Sequence, residues 1–220
     1  MTLIKSNPSF KKERALFFYK SFNSKNKTIE EVEIVFRKVD LLCNAINEKT
    51  GKNIDAEEMY LMVIGELNDY TNDFSNIDLP ELYNQIEKIL FNYPPTLYCL
   101  ETKNILDKLK ELSKSPFNIL SNTAFIKGGS LKIILDHLSI SSYFDFQIYS
   151  DEVGISKPNK LIFEMAIEKA KLLHPDNNFS ASDILHIGDN VVADIGGAIL
   201  TGLDTFQINT NNKSISNIFD

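Results

Sequence analysis

The sequence predicts an α/β fold: a doubly wound parallel sheet carrying an inserted block of helices. Three observations predict it. Up to about residue 91, apolar residues recur at helical spacing behind helix-start signals. Beyond that point, short apolar runs alternate with amphipathic helical stretches, the pattern of strand–helix units with parallel strands. Two of those runs end in Ser121 and Asp189, at the carboxyl edge where such sheets bind ligands.

In the first part, residues 8–22 make one candidate helix. Thr28 and Glu31 form a T-x-x-E capping box, in which each side chain satisfies an otherwise orphaned backbone N–H. Val32, Val35, Phe36, Val39, Leu42 and Ile46 follow as an apolar stripe, with Cys43 inside it as a packing residue, and Gly51 is a stop. Asp55 and Glu58 repeat the capping pattern ahead of Met59, Met62, Val63 and Leu67. Pro80 suits the first turn of a fourth helix ending near Leu90. Four antiparallel helices make a small bundle whose stripes are its core, with no cofactor expected there.

The second part begins with a helix over 102–112 and a strand over 117–120, which ends in Ser121-Asn122-Thr123. A helix over 132–138, a strand over 144–149 and the loop 150–157 come next. Pro158 opens a helix bearing Leu161, Ile162, Met165, Ala166, Lys169 and Leu173. The strand 184–187 ends in Gly188-Asp189, a helix runs to about Leu200, and 205–208 is a last strand. Residues 209–220, polar with few apolar anchors, are expected to fray.

Composition narrows the function. The 220 residues are 43% hydrophobic and 24% charged, as in an ordinary globular protein. A net charge of −7 argues against a nucleic-acid or membrane-surface binder, since both need a basic face, yet permits a local site for an anionic small molecule. Two cysteines, Cys43 and Cys99, are too few for a disulfide framework or a thiolate zinc site, and the expected compartment is the reducing cytoplasm. No apolar run reaches membrane-spanning length, and the first residues do not read as a secretory signal.

Three constellations carry chemistry. In Gly188-Asp189-Asn190-Val191-Val192-Ala193-Asp194, a strand-end carboxylate is followed by a second one that can help hold a hard cation. Gly188 allows close backbone approach, and Gly196-Gly197 allows tight helix–sheet packing. The Ser121 hydroxyl and the next backbone N–H, that of Asn122, suit a phosphate oxygen. Lys157, before Pro158, is a cation that neutralises a phosphoryl group or organises a carboxylate. Taken singly, each has an ordinary structural explanation: a turn, a loop lysine, a helix cap. His186 alternates with Leu185 and Ile187 and belongs to the core or to the shell behind the site.

In this order, each after a strand, S-N-T, K-P and G-D-x-x-x-x-D resemble the motifs of the haloacid dehalogenase-like hydrolase superfamily over about residues 91–210. The resemblance implies a core domain of residues 1–9 and 91–220 and a helical cap domain of residues 10–90. It implies phosphoryl transfer to an aspartate, with Mg²⁺ held by Asp189 and Asp194. Ser121, Asn122 and Lys157 would bind the phosphoryl group, and the substrate would be a small phosphorylated metabolite.

The family's first motif, D-x-D-x-T, is matched only at its tail, where Thr2-Leu3-Ile4 resembles the threonine and the apolar residues after it. The resemblance makes Thr2 a site residue and places both aspartates upstream of residue 1. The expectation is an N-terminally truncated form without phosphatase turnover. Alternatives are an inactive phosphate-binding protein of the same fold and a metal-independent 2-haloacid dehalogenase, against which the paired acids argue. A signalling receiver domain has the same residue types in the reverse order.

Overall fold

The computed structural model describes residues 2–71, 73–113, 115–175 and 179–219. In chain order its elements begin with β1 (Ile4–Lys5), α1 (Pro8–Ser21), α2 (Ile29–Thr50), α3 (Ala56–Leu67), α4 (Leu79–Asn92) and β2 (Thr96–Leu97). They continue with α5 (Thr102–Ser113), β3 (Asn118–Ser121), α6 (Gly128–His137), β4 (Phe146–Tyr149) and α7 (Ser150–Val153). The last are α8 (Lys160–Leu173), β5 (Leu185–Gly188), α9 (Gly197–Ile199) and β6 (Asp204–Gln207). The chain is α/β, with a helical cap inserted between β1 and β2.

Those two short strands pair antiparallel, Ile4 opposite Leu97, so the chain enters and leaves the helical block at one place. Local signals set the helix ends. Thr28 and Glu31 close a capping box on α2, and Asp55 and Glu58 close another on α3. Gly51 ends α2 with φ +66°, a left-handed turn that costs glycine little. The bundle core joins Phe18, Phe36 and Tyr60 to Phe125 from the loop after β3; the Phe18 and Phe36 rings meet edge-on at 4.9 Å. Burial in this core pushes the Tyr60 phenol up to about 12, and its hydroxyl donates to the Phe125 carbonyl at 2.8 Å.

The stripe on α2 departs from expectation at its far end. Cys43 and Asn47 are buried, whereas Leu42 and Ile46 are exposed. Steps of four keep Val39, Cys43 and Asn47 on one face, and Leu42 and Ile46 sit one residue off it. On α8, likewise, Ile162, Phe163 and Ala170 face the core, while Leu161, Met165 and Leu173 are exposed.

The parallel strands form two pairs. β3 lies beside β4 with Ser121 opposite Tyr149, and β5 beside β6 with Gly188 opposite Gln207. Among the described residues no ladder joins β3 to β5. Inner strands of a doubly wound sheet are buried on both faces. Here Ile119, Leu120, His186 and Ile187 are half-buried and Leu185 is 46% exposed. The C-terminal residues are anchored rather than frayed: Ile215 is buried with Ile105 and Ile208, and Ile218 packs against them. Those two isoleucines, one helical turn apart, are the anchors that the polar composition hid.

Candidate functional site

β5 delivers the acidic motif. Gly188 is its last residue, and a Cβ there would overlap the Asp194 side chain. That contact lets Asp194 fold back over the strand end. Its Oδ2 accepts from the N–H groups of Asp189 (3.0 Å) and Asn190 (2.9 Å), and its Oδ1 accepts from Lys157 Nζ at 2.6 Å. Asn190 caps the wide turn Val191–Gly196 by accepting from Val192 and Ala193 N–H groups. Gly197 then packs on Phe163, where a Cβ would overlap the ring.

Lys157 and Asp194 are both buried, with side chains 8% and 7% exposed. Burial alone would raise the Asp194 carboxyl. His186 at 3.6 Å, the Lys157 ammonium and the Asn190 N–H outweigh burial and hold it well below the usual carboxylate range. Burial is also the main cause that lowers the His186 imidazole, with Lys157 adding to it.

Lys157 is held from three sides. Its Nζ also donates to the Leu120 carbonyl of β3 at 2.6 Å. The Asn122 carboxamide grips its peptide at both ends: Oδ1 accepts from Lys157 N–H at 2.7 Å and Nδ2 donates to the Lys157 carbonyl at 2.9 Å. The loop after β3, the loop before α8 and the loop after β5 are thereby tied together at the carboxyl ends of the strands.

The remaining expected residues converge on this edge. The half-buried Ser121 ends β3, and its Oγ donates to the Asn122 carbonyl at 3.1 Å. Thr2 reaches the same edge from the chain start, its Oγ1 donating to Asp189 Oδ1 at 3.1 Å. Thr2, Ser121, Asn122, Lys157, Asp189 and Asp194 are all accounted for in one network or at its rim. Sequence reasoning missed the Asn122 side chain as a clamp, and also Ser150, whose buried Oγ accepts from the Thr123 N–H at 2.8 Å. A serine following a strand carries no signal for that bond.

A hard divalent cation takes oxygen ligands, commonly one or two carboxylates completed by waters and substrate phosphate. Asp189, a strand-end carboxylate beside a hydroxyl, fits that demand. Asp194 has both oxygens engaged by Lys157 and by two backbone N–H groups, so it organises the loop that presents Asp189. Among the described residues no group of three or more His, Cys, Asp or Glu is arranged to hold a metal. Also among them, no helix is long and apolar enough to cross a membrane.

The chain is similar to known proteins along most of its length. A family model described as haloacid dehalogenase-like hydrolase matches residues 24–202. The pyrimidine 5'-nucleotidase YjjG of Escherichia coli is 38% identical over 82 residues, which cover 37% of this chain and 34% of that protein. The 5-amino-6-(5-phospho-D-ribitylamino)uracil phosphatase YigB of the same organism is 30% identical over 115 residues, covering 52% of this chain and 42% of that one. The matched stretches thus span less than half of each relative. In three dimensions, YfnB of Bacillus subtilis bound to magnesium superposes with a TM-score of 0.68 at 19% identity, covering 96% of this chain and 86% of that one. A HAD phosphatase from Thermococcus onnurineus gives 0.59 at 18% identity, covering 96% and 84%.

Proposed function

Because the chain belongs to the haloacid dehalogenase-like hydrolases, we propose that it serves phosphoryl transfer: hydrolysis of a small phosphate monoester through an aspartyl-phosphate. The observation that carries this reading is the buried Lys157–Asp194 pair, held within hydrogen-bond reach of the loops bearing Ser121 and Asp189. A buried ammonium at a strand-end edge suits the charge of a phosphoryl group. A site that only packed the core would have less use for it.

In this reading the Ser121 hydroxyl and Asn122 N–H hold phosphoryl oxygens. Lys157 offsets charge on the phosphoryl group and the attacking carboxylate. Asp189 would hold Mg²⁺, which would supply neutralisation of negative charge when bound. Asp194 keeps the Asp189 loop and the Lys157 ammonium in register, and Thr2 orients Asp189. A carboxylate oxygen bonds to phosphorus, the ester P–O bond breaks, and the leaving alkoxide takes a proton from solvent water. Water then cleaves the acyl phosphate. Asp194 is fully engaged and Asp189 serves the cation, so neither attacks. In the family's motif pattern the attacking carboxylate is the first aspartate of D-x-D-x-T, a motif that residues 1–220 do not contain. Residues 1–220 without that carboxylate are expected to bind phosphate and not to turn over.

Residues 10–90 act as a cap domain over a core of residues 1–9 and 91–220, excluding water and choosing the leaving group. The activities named for YjjG and YigB support a phosphorylated small metabolite as substrate. The reading includes a cytoplasmic setting, from the cysteine usage.

Calorimetry with inorganic phosphate and Mg²⁺, beside an assay of phosphate release from p-nitrophenyl phosphate, tests this. Binding that weakens at least about tenfold in Ser121→Ala, the loss expected for one charge-assisted hydrogen bond, supports it. No phosphate binding by the unaltered chain defeats it. Binding without turnover agrees with the expected inactivity of residues 1–220. Mg²⁺-dependent turnover lost in Asp189→Ala would overturn the statement that residues 1–220 are inactive.

A further inference from the structure

The helical block touches the site loops at one end of α2. Glu48 Oε1 accepts from Asn190 Nδ2 at 3.0 Å, beside Asp189. Three residues on, the chain between α2 and α3 runs antiparallel to the loop before Lys157, with Lys52 bridged to Ile155. The Ser156 N–H donates to the Gly51 carbonyl at 3.0 Å, and the Asn53 N–H donates to the Gly154 carbonyl at 3.3 Å. Gly154 and Ser156 thus find backbone partners in the cap.

Asn53 does more than extend this ladder. Its Oδ1 accepts from Ser150 Oγ at 2.7 Å and from Ser156 Oγ at 3.4 Å, and both serines are fully buried. Ser150 Oγ has one proton. Spent on Asn53, it leaves the oxygen as acceptor for both the Thr123 N–H (2.8 Å) and the Thr123 hydroxyl (3.1 Å). Thr123 follows Ser121-Asn122, and Ser156 precedes Lys157. One carboxamide from the cap therefore sets the proton direction of a buried serine on which the Ser121 loop rests. It also steadies the residue next to the ammonium-bearing lysine.

We infer that Asn53 is a positioning residue: through Ser150 and Ser156 it fixes the Thr123 loop and Lys157 in the arrangement that receives phosphate. The inference rests on the proposed role of Lys157 and Ser121 in phosphoryl binding. Its mechanical part, that Asn53 holds the Lys157 loop, stands apart from that role. A carboxamide suits the task because it accepts two hydroxyls without adding charge, while its Nδ2 donates to Asp55 at 2.8 Å to hold its own orientation.

The test uses the 220-residue chain and Asn53→Ala, read by backbone amide hydrogen exchange, by calorimetry with inorganic phosphate and by urea unfolding. Exchange at Thr123, Ser156 and Lys157 is expected to quicken about tenfold, and phosphate to bind about tenfold more weakly, as loss of one ordinary hydrogen bond gives. Exchange in β6 is expected to stay unchanged. Asn53→Asp combined with Asp55→Asn keeps an acceptor for both hydroxyls and a donor at residue 55 to orient it, and is expected to restore the exchange rates. If Asn53→Ala does not fold, Ser150→Ala cuts the same link from the core side.

Unchanged exchange at Ser156 and Lys157 would overturn the inference. So would quickened exchange in a chain whose phosphate affinity does not move. If the unaltered chain binds no phosphate, the functional reading fails, and the exchange rates still decide whether Asn53 holds the loop.

Discussion

Replacing Lys157 by Met removes an ammonium while nearly keeping its length and apolar stem. Asp194 then remains 5% exposed with no cation against Oδ1, and the Leu120 carbonyl loses its donor. Removing one partner of a buried ion pair costs about 3–5 kcal/mol, because the other charge stays behind uncompensated. The two backbone N–H groups on Oδ2 soften the loss and place the expectation at the lower end, ~3 kcal/mol. For a chain of this size that is a fall of roughly 6–12 °C in Tm. Asp194→Asn removes the charge and keeps an oxygen for the backbone donors. The double variant Lys157→Met/Asp194→Asn is therefore expected to be more stable than Lys157→Met alone, by more than about 1 kcal/mol. Urea unfolding followed by circular dichroism measures all four proteins. A loss below about 1 kcal/mol in Lys157→Met, or a double variant equal to the sum of the singles within about 0.5 kcal/mol, would refute the claim that this pair is a desolvated, mutually dependent unit.

Two further expectations concern the same strand end. Gly188→Ala places a methyl group against the Asp194 side chain, so Asp194 must move off the Asp189 and Asn190 N–H groups; a loss of about 1–3 kcal/mol by thermal melting is expected, and an unchanged Tm would contradict the packing described. Burial puts the folded pKa of His186 below its unfolded one, so the unfolded chain binds more protons and stability falls as pH drops from 8 to 6. His186→Gln is expected to flatten that part of the urea-midpoint profile, and a profile equally steep in both proteins would exclude His186 as its cause.

Much of this was legible because local chemistry dictates it. Thr28 with Glu31 and Asp55 with Glu58 cap their helices as the spacing requires, and Gly51 stops α2 in the left-handed turn that favours glycine. Ser121 and Asp189 were found because they end apolar strands, and strand ends in such sheets share one edge. Asn53 and Ser150 gave no such signal, since their partners lie far away in sequence and a lone Asn or Ser in a loop satisfies ordinary turn chemistry equally well. Leu42 and Ile46 misled because a 3.6-residue period tolerates neighbouring positions at the border of a stripe. Only tertiary contact shows which side of the border is covered.

The split between the two parallel strand pairs bears on how the molecule behaves in concentrated solution. Among the described residues each pair has a half-covered apolar strand with no ladder on its second edge, and an edge of that kind is a template for an extended polypeptide. In a population of identical chains the nearest such polypeptide is a neighbour. Mutual repulsion from a net charge of −7 opposes that encounter, and salt or acid weakens it. Colloidal behaviour thus hangs on two four-residue strands: oligomers should grow with ionic strength and recede when a lysine is set into the outer face of β5 at Leu185.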